Sequence, residues 1–233
     1  MKAIIDADSL IYASSFKDTL EECYETFTKS LESVKEDLNE YCEVDEYLLC
    51  NGSRNNFRIA LNSQYKANRG EKPKFLHELH NLVKTNYNSY WGDGVETDDV
   101  VATLWKNEVD KFDDDSVIIV ANDKDYKQFS CWYFDMYYKR RTLDKIEPLE
   151  AIKNFYTQMI VGDSADNIKV CLGYGKVAAR KMLFGVKSEL DCIKRVYALY
   201  IELYGNDAKR LFKETYNLLK LRTDANSEIR IGI

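Results

Sequence analysis

The chain has 233 residues, 45% of them hydrophobic, 31% charged and 13% aromatic, with 2 Pro and 10 Gly. Such a composition describes an ordered globular protein of one large or two small domains and excludes a linker-rich or disordered one. A formal net charge of −6 argues at first against a nucleic-acid partner.

In chain order, KAIID (2–6) reads as a short buried strand with a polar tip. The N-terminus meets an acid after five residues, so it is not a signal peptide, and no apolar run approaches the length of a membrane span. Residues 18–41 predict an amphipathic helix. Leu20, Tyr24, Phe27, Leu31, Val34, Leu38 and Tyr41 alternate spacings of four and three, which suits core packing better than a coiled coil. VDEYLLC (44–50) is a second strand, followed by the turn-rich NGSRNN. After the basic stretch KANRGEKPK, residues 74–90 and 98–109 predict helices, and DDD at 113–115 a solvated loop. SVIIVA (116–121) is a continuous β-branched run, as central parallel strands are. WYFDMYY (132–138) follows as a strand, then helices over 148–160, 176–184, 188–204 and 206–220, with GYG before the second of these. Strands separated by helices imply an α/β domain with a largely parallel sheet, ending near residue 160.

The six cysteines show no CxxC pair and read as reduced thiols of an intracellular protein. His77 and His80, in HELH, lack HExxH spacing; both are expected on a helix surface, and zinc is not expected. GYGK has no GxxxxGK[ST] frame, and two clustered histidines give no support to a Ser/His/Asp triad.

The acids carry the strongest signal. In parallel α/β sheets ligands bind at the carboxyl ends of strands. Asp6 and Asp8 end the first strand, Asp123 and Asp125 follow the strongest one, Glu96, Asp98 and Asp99 open a helix, and Asp163 and Asp166 start the helical part. Each group alone has a plain explanation as strand-end solvation, an Asx turn or a helix cap. Together they fall where the topology predicts one crevice, and crowded like charges require a cation. Oxygen-only donors suit Mg²⁺ or Mn²⁺, and two such ions can clamp the attacking and leaving oxygens of a phosphodiester displacement.

Five segments, in order, resemble those of the 5′ nuclease family, the flap endonucleases and 5′→3′ exonucleases. They are IIDADSLIY, FRIALNSQYKANRG, GVETDDVVA, IVANDKDYKQF and VGDSADNIKVCLGYGKVAAR. The resemblance implies an α/β, PIN-like nuclease core over 1–160 with a largely parallel sheet and a helical arch at about 62–92. A helical DNA-binding subdomain, 161–233, would carry a helix-three-turn-helix at about 161–185. The implied ligands of two Mg²⁺ or Mn²⁺ ions are Asp6, Glu96, Asp98, Asp99, Asp123, Asp125, Asp163 and Asp166. Lys66 and Arg69 would act on the scissile phosphate at the base of the arch, with Tyr65 either stacking on a base or simply packing. Gly173, Gly175, Lys176, Arg180 and Lys181 would hold duplex phosphates, with a K⁺ at the Gly turn.

Three departures from the family pattern stand out: Asn51 in place of an Asp, Lys176–Val177 in place of Pro-Lys, and Asp8 in place of Ser. Placed on the same strand face as Asp6, Asp8 is either a solvated strand-end acid or a partial replacement for Asn51. With the eight carboxylates metal-bound, the formal charge becomes about +2. KANRGEKPK carries four basic residues against one acid, residues 169–195 carry seven against two, and KRR at 139–141 extends the track.

The expectation is a monomeric, Mg²⁺-dependent 5′→3′ exonuclease or flap endonuclease of a bacterial or phage-infected cytoplasm. Its partners would be DNA with a 5′ end, flap or RNA primer, together with replication proteins, and no membrane. The rival readings are a PIN-type ribonuclease and a non-catalytic structure-specific DNA-binding protein.

Overall fold

The computed structural model describes residues 1–53, 56–113 and 115–231. Parts of the expected NGSRNN and DDD loops, at 54–55 and 114, lie outside the described residues, as do 232 and 233. The sheet builds on strands β1 (Lys2–Asp6), β2 (Glu46–Asn51), β3 (Ser89–Gly92), β4 (Val117–Ala121), β5 (Trp132–Asp135) and β6 (Thr142–Lys145) of the N-terminal part, joined by β7 (Ile229–Ile231) from the C-terminal end. They form a seven-stranded sheet in the order β6-β5-β4-β1-β2-β3-β7. The five inner strands are mutually parallel, whereas β6 and β7 pair antiparallel at the two edges. The expected PIN-like core with a largely parallel sheet is thereby corrected to a mixed sheet. The reason is local: TLDK and IRI are short and partly charged, and they take strand form by pairing with β5 and β3.

Helices cover both sheet faces. Against one lie α1 (Ala7–Ser14), α2 (Leu20–Asn39) and α4 (Leu76–Asn86); Ile118 and Val120 of β4 pack there with Phe27, Leu31 and Leu79. Against the other lies α5 (Thr97–Lys111), where Ile119 and Ala121 meet Val100, Val101 and Trp105. This double cover is why β4 is apolar throughout, and each buried aliphatic side chain contributes about 1.5–3 kcal/mol. The long helix α2 starts at a Thr19–Glu22 capping box, and its stripe of Phe27, Leu31, Val34 and Leu38 is fully buried.

Two expected elements change. The helical spacing of Leu76, Leu79 and Val83 runs out at Asn86, and residues 89–92 are strand β3 rather than helix. Asp8 leaves the strand altogether: Asp6 is both the last residue of β1 and the N-cap of α1, so Asp8 sits in a helical first turn. Residues 62–75 of the expected arch carry turns and extended chain, and α4 packs on the sheet.

The helices α6 (Pro148–Val161), α7 (Lys176–Met182), α8 (Glu189–Tyr204) and α9 (Ala208–Leu219) enclose a third core, with Phe155, Met159, Val196 and Tyr200 at its centre. A short α3 (Phe57–Leu61) touches α9. Among the described residues no helix is long and apolar enough to cross a membrane. All six cysteines are free thiols.

Between α6 and α7 the chain turns at Gly162, whose φ of +74° suits glycine; a Cβ there would stand 2.3 Å from the Ile168 carbonyl oxygen. That carbonyl accepts from Asp163 N at 2.9 Å, and Ile168 N donates back at 2.7 Å. Gly162→Ala is expected to cost about 1–3 kcal/mol in denaturant unfolding and to disturb the Asp163 turn.

Candidate active site

Asp6, Asp98, Asp123 and Asp125 converge at the carboxyl end of β1 and β4. Tyr126, fully buried, donates its hydroxyl to Asp6 Oδ2 at 2.9 Å and lies 3.3 Å from Asp98 Oδ1. Asp123 caps the short turn Lys124–Gln128, and its Oδ1 accepts from Asp125 N at 2.9 Å. The side-chain amide of Gln158, from α6, donates to Asp125 Oδ1. Burial, reinforced by the charges of Asp8 and Asp123, pushes Asp6 up to about 7. Burial and the neighbouring Asp123 raise Asp125 to about 7 as well. Asp98 is held well above the usual carboxylate range by burial and by Asp123 and Asp6, and burial raises Asp123.

A second group adjoins the first. The segment 64–69 is clasped to the loop 163–167. Lys66 N donates to Asp166 O at 2.9 Å, Asn68 Nδ2 to Ser164 O at 2.9 Å, and Asn167 Nδ2 to Gln64 O at 2.8 Å. This clasp brings the Lys66 ammonium onto Glu96 Oε1 and 3.7 Å from Asp166 Oδ1, and Arg69 Nη2 to 2.9 Å from Asp166 Oδ1. The Lys124 ammonium donates to Asp163. Burial pulls upward on Glu96, but Lys66 and Arg58 outweigh it and hold the carboxyl below its ordinary value. Asp163 is likewise lowered against burial, by Lys124 and the amides of Ala165 and Asp166.

Two residues of the expected set are engaged within the fold. Asp99 is 0% exposed, and both its oxygens are taken. Oδ1 accepts from Arg58 Nη2 (2.8 Å) and Arg222 N (2.9 Å), and Oδ2 from Arg58 Nη1 (2.7 Å) and Glu96 N (3.3 Å). Its carboxylate therefore has no lone pair directed at a metal. Tyr65 is buried in the helical core, so base stacking is not open to it; its hydroxyl donates to Glu96 Oε2 at 2.7 Å and lies 3.1 Å from Asp166 Oδ2. Gly173 (φ +92°), Gly175, Lys176, Arg180 and Lys181 lie exposed around α7, on the helical part rather than in the carboxylate group.

Among the described residues, no three His, Cys, Asp or Glu side chains are arranged to hold a metal. The donor chemistry nevertheless fits a hard divalent cation: the group offers carboxylate oxygens, and burial together with neighbouring acids drives four of its carboxyl groups toward protonation.

The family model for the 5′-3′ exonuclease, N-terminal resolvase-like domain, matches residues 2–159. The chain belongs to the 5′-3′ exonuclease family. It is 27% identical over 201 residues, 77% of its length, to a 5′-3′ exonuclease of Mycoplasmopsis pulmonis, and spans 62% of that relative. Three solved structures share the fold. The phage T5 5′-exonuclease with bound zinc has a TM-score of 0.57 at 16% identity, with 94% and 100% of the chains covered. The phage T5 D15 flap endonuclease with DNA and metal ions gives 0.57 at 15%, covering 94% and 98%. The catalytic core of Rad2 with DNA gives 0.52 at 15%, covering 93% and 72%. These matches assign the exonuclease-family chain a 5′ nuclease fold with a mixed sheet in place of the expected PIN-like core.

Sequence reasoning passed over Tyr126, Lys124, Gln158 and Arg58 in this exonuclease-family chain. The first two lie within IVANDKDYKQF and Arg58 within FRIALNSQYKANRG, where the resemblance gives them no role; Gln158 has no local signal, because its partner Asp125 is 33 residues away.

Two predictions test the site. Arg58→Met leaves Asp99 buried and uncompensated and is expected to cost about 3–5 kcal/mol in urea unfolding, with part of the loss recovered in the double variant Arg58→Met/Asp99→Met. For pH, Asp6 and Asp125 bind protons more tightly folded (about 7) than unfolded (about 3.9). Their stabilising contribution is therefore complete below about pH 4 and lost as pH rises through 7. Glu96 and Asp163, whose values are lowered, lose theirs only in more acid solution. The melting temperature of chelator-treated protein is expected to fall from pH 5 to pH 8, with a shallower slope in Asp6→Asn.

Proposed function

We propose that this chain is a divalent-metal-dependent 5′ nuclease that hydrolyses DNA phosphodiester bonds near a 5′ end or flap. The observation that carries the reading is the clasp of segment 64–69 on loop 163–167, which brings Lys66 and Arg69 to the edge of a buried carboxylate group assembled from four separate parts of the chain. The T5 flap endonuclease and Rad2 relatives were solved with DNA, in keeping with this substrate.

Asp6, Glu96, Asp98, Asp123, Asp125, Asp163 and Asp166 are the residues that would hold two Mg²⁺ or Mn²⁺ ions, with Asp99 outside the set. Ions bound there would supply Lewis acidity at the phosphoryl oxygen and a nucleophilic water at neutral pH. Tyr126 orients Asp6 and Asp98, and Gln158 orients Asp125, so that the carboxylates keep fixed directions. Lys66 and Arg69 place positive charge where a phosphate gains negative charge, and Arg69, its side chain 56% exposed, is open to a strand arriving from solvent. Residues 62–75, which lie outside the sheet and its covering helices, would form the strand-passage element. Gly173, Gly175, Lys176, Arg180 and Lys181, with a K⁺ at the turn, hold the duplex behind it. A monomer in a bacterial or phage-infected cytoplasm, acting on flaps or RNA primers beside replication proteins, suits this chemistry.

Incubation with a labelled 5′-flap duplex should give Mg²⁺-dependent cleavage that EDTA abolishes, with single-stranded RNA left intact. Asp123→Asn should lose at least about 10²-fold in rate and retain flap binding by fluorescence anisotropy. Lys66→Ala should lose a similar factor. Binding without metal-dependent cleavage in the parent chain would overturn the proposal.

A further inference from the structure

The hairpin between β5 and β6 ends in an aromatic and basic tip, Tyr137-Tyr138-Lys139-Arg140-Arg141, that takes no part in the carboxylate crevice. Strand β5 runs parallel to β4 with Asp135 opposite Ala121, and β1 lies on the other side of β4. The tip therefore leaves the sheet at the edge where Asp6 and Asp123 stand. It starts two strand spacings, about 10 Å, from the end of β1.

Both flanks of the tip are tied down. Tyr137 N donates to Asp135 Oδ1 at 3.0 Å, and Arg140 N donates to Tyr137 O at 2.7 Å to close a turn. The Arg140 guanidinium returns to Asp135 and reaches Asn122 Oδ1 at 3.3 Å, one residue before Asp123. On the other flank the Tyr41 hydroxyl donates to Arg141 O at 2.6 Å, and the Arg141 guanidinium lies 3.3 Å from Asp37 of α2. The KRR run is thereby divided: Arg141, its side chain 18% exposed, turns inward, while Lys139 and Arg140 face solvent.

Tyr138 is left with its ring in the open, 68% exposed. A lone exposed aromatic is ordinary. This one is backed by the Tyr137 ring at 4.8 Å and has Lys139 Nζ 5.4 Å from its own centroid, while the Arg140 guanidinium lies 4.7 Å from the Tyr137 ring. A fixed aromatic face edged by two cations matches the two halves of a nucleotide, base and phosphate, and it loses little freedom when one arrives.

We propose that Tyr138, backed by Tyr137 and flanked by Lys139 and Arg140, is a stacking platform for an unpaired nucleotide of single-stranded DNA beside the crevice. Every base has a π-face, so the platform accepts bases without reading sequence. Duplex DNA, whose bases are already stacked on one another, gains nothing from it. The inference rests on the nuclease reading and adds to it the place where unpaired strand lies.

The test needs no cleavage. Single-stranded DNA carrying 5-iododeoxyuridine is bound to the full chain with Ca²⁺ in place of Mg²⁺ and irradiated in the near ultraviolet, which couples the base to an aromatic ring stacked on it. Peptide mapping should place the adduct on Tyr138. By fluorescence anisotropy, Tyr138→Ser should bind the single strand about fivefold or more weakly and a blunt duplex less than about twofold more weakly. Its circular-dichroism melt should match the parent's. Tyr138→Phe, which keeps the ring, should bind both as the parent does. An adduct absent from the tip, an equal loss on duplex, or a loss in Tyr138→Phe as large as in Tyr138→Ser would overturn the proposal. The nuclease reading fails by a different measurement, the absence of Mg²⁺-dependent cleavage in the parent chain, which leaves the adduct position and the Ser-against-Phe comparison unaffected.

Discussion

A single guanidinium, buried to 1% exposure, holds the two halves of this molecule in register. Arg58 forks onto Asp99, touches Glu96, and spends its remaining protons on the carbonyls of Leu218 and Lys220. Asp99 completes the lock by accepting from the Arg222 amide. The first turn of α5, the short helix α3 and the end of α9 therefore meet at one charged joint. Arg suits it because a planar fork can serve a carboxylate in bidentate fashion and still reach two carbonyls. The same joint holds one oxygen of Glu96 and leaves Asp98 to the crevice, while their neighbour Asp99 is consumed as structure.

Charge balance explains the rest of the site. The carboxylates at the ends of β1 and β4 are buried with too few cations, and their proton affinities rise accordingly. Glu96 and Asp163, a short distance along, have ammonium partners and remain ionised more readily. The site is thus graded, from acids that need an added cation to acids that already have one. A phosphate-bearing substrate suits the cationic edge and divalent ions suit the acidic centre.

Much of this was legible in the sequence, for identifiable reasons. Strands β1, β2 and β4 announce themselves because burial on both faces demands unbroken apolar runs, and α2 because one buried stripe demands 3.6-residue spacing. The carboxylate positions follow from strand ends. Strands β6 and β7 were hidden because TLDK and IRI have no pattern of their own and gain order from a neighbour. Asp98 and Asp99 could not be told apart, since the rotation of α5 decides which faces the crevice, and that rotation is set by an arginine about 40 residues upstream. Asp8 misled because a strand period was carried two residues too far, past an Asp6 that ends the strand by capping a helix.

The clasp between segments 64–69 and 163–167 also bears on how the protein is made. Its hydrogen bonds join residues about a hundred positions apart, and the Arg58 joint and strand β7 wait for residues beyond 217. Loop closure over such separations is slow, and ribosomal synthesis delivers the later partners last. A nascent chain that has emerged as far as α6 carries Lys66 and Glu96 but neither Asp163 nor Asp166. Assembly of the crevice is therefore a late event, and an incomplete chain does not yet carry the full set of acids.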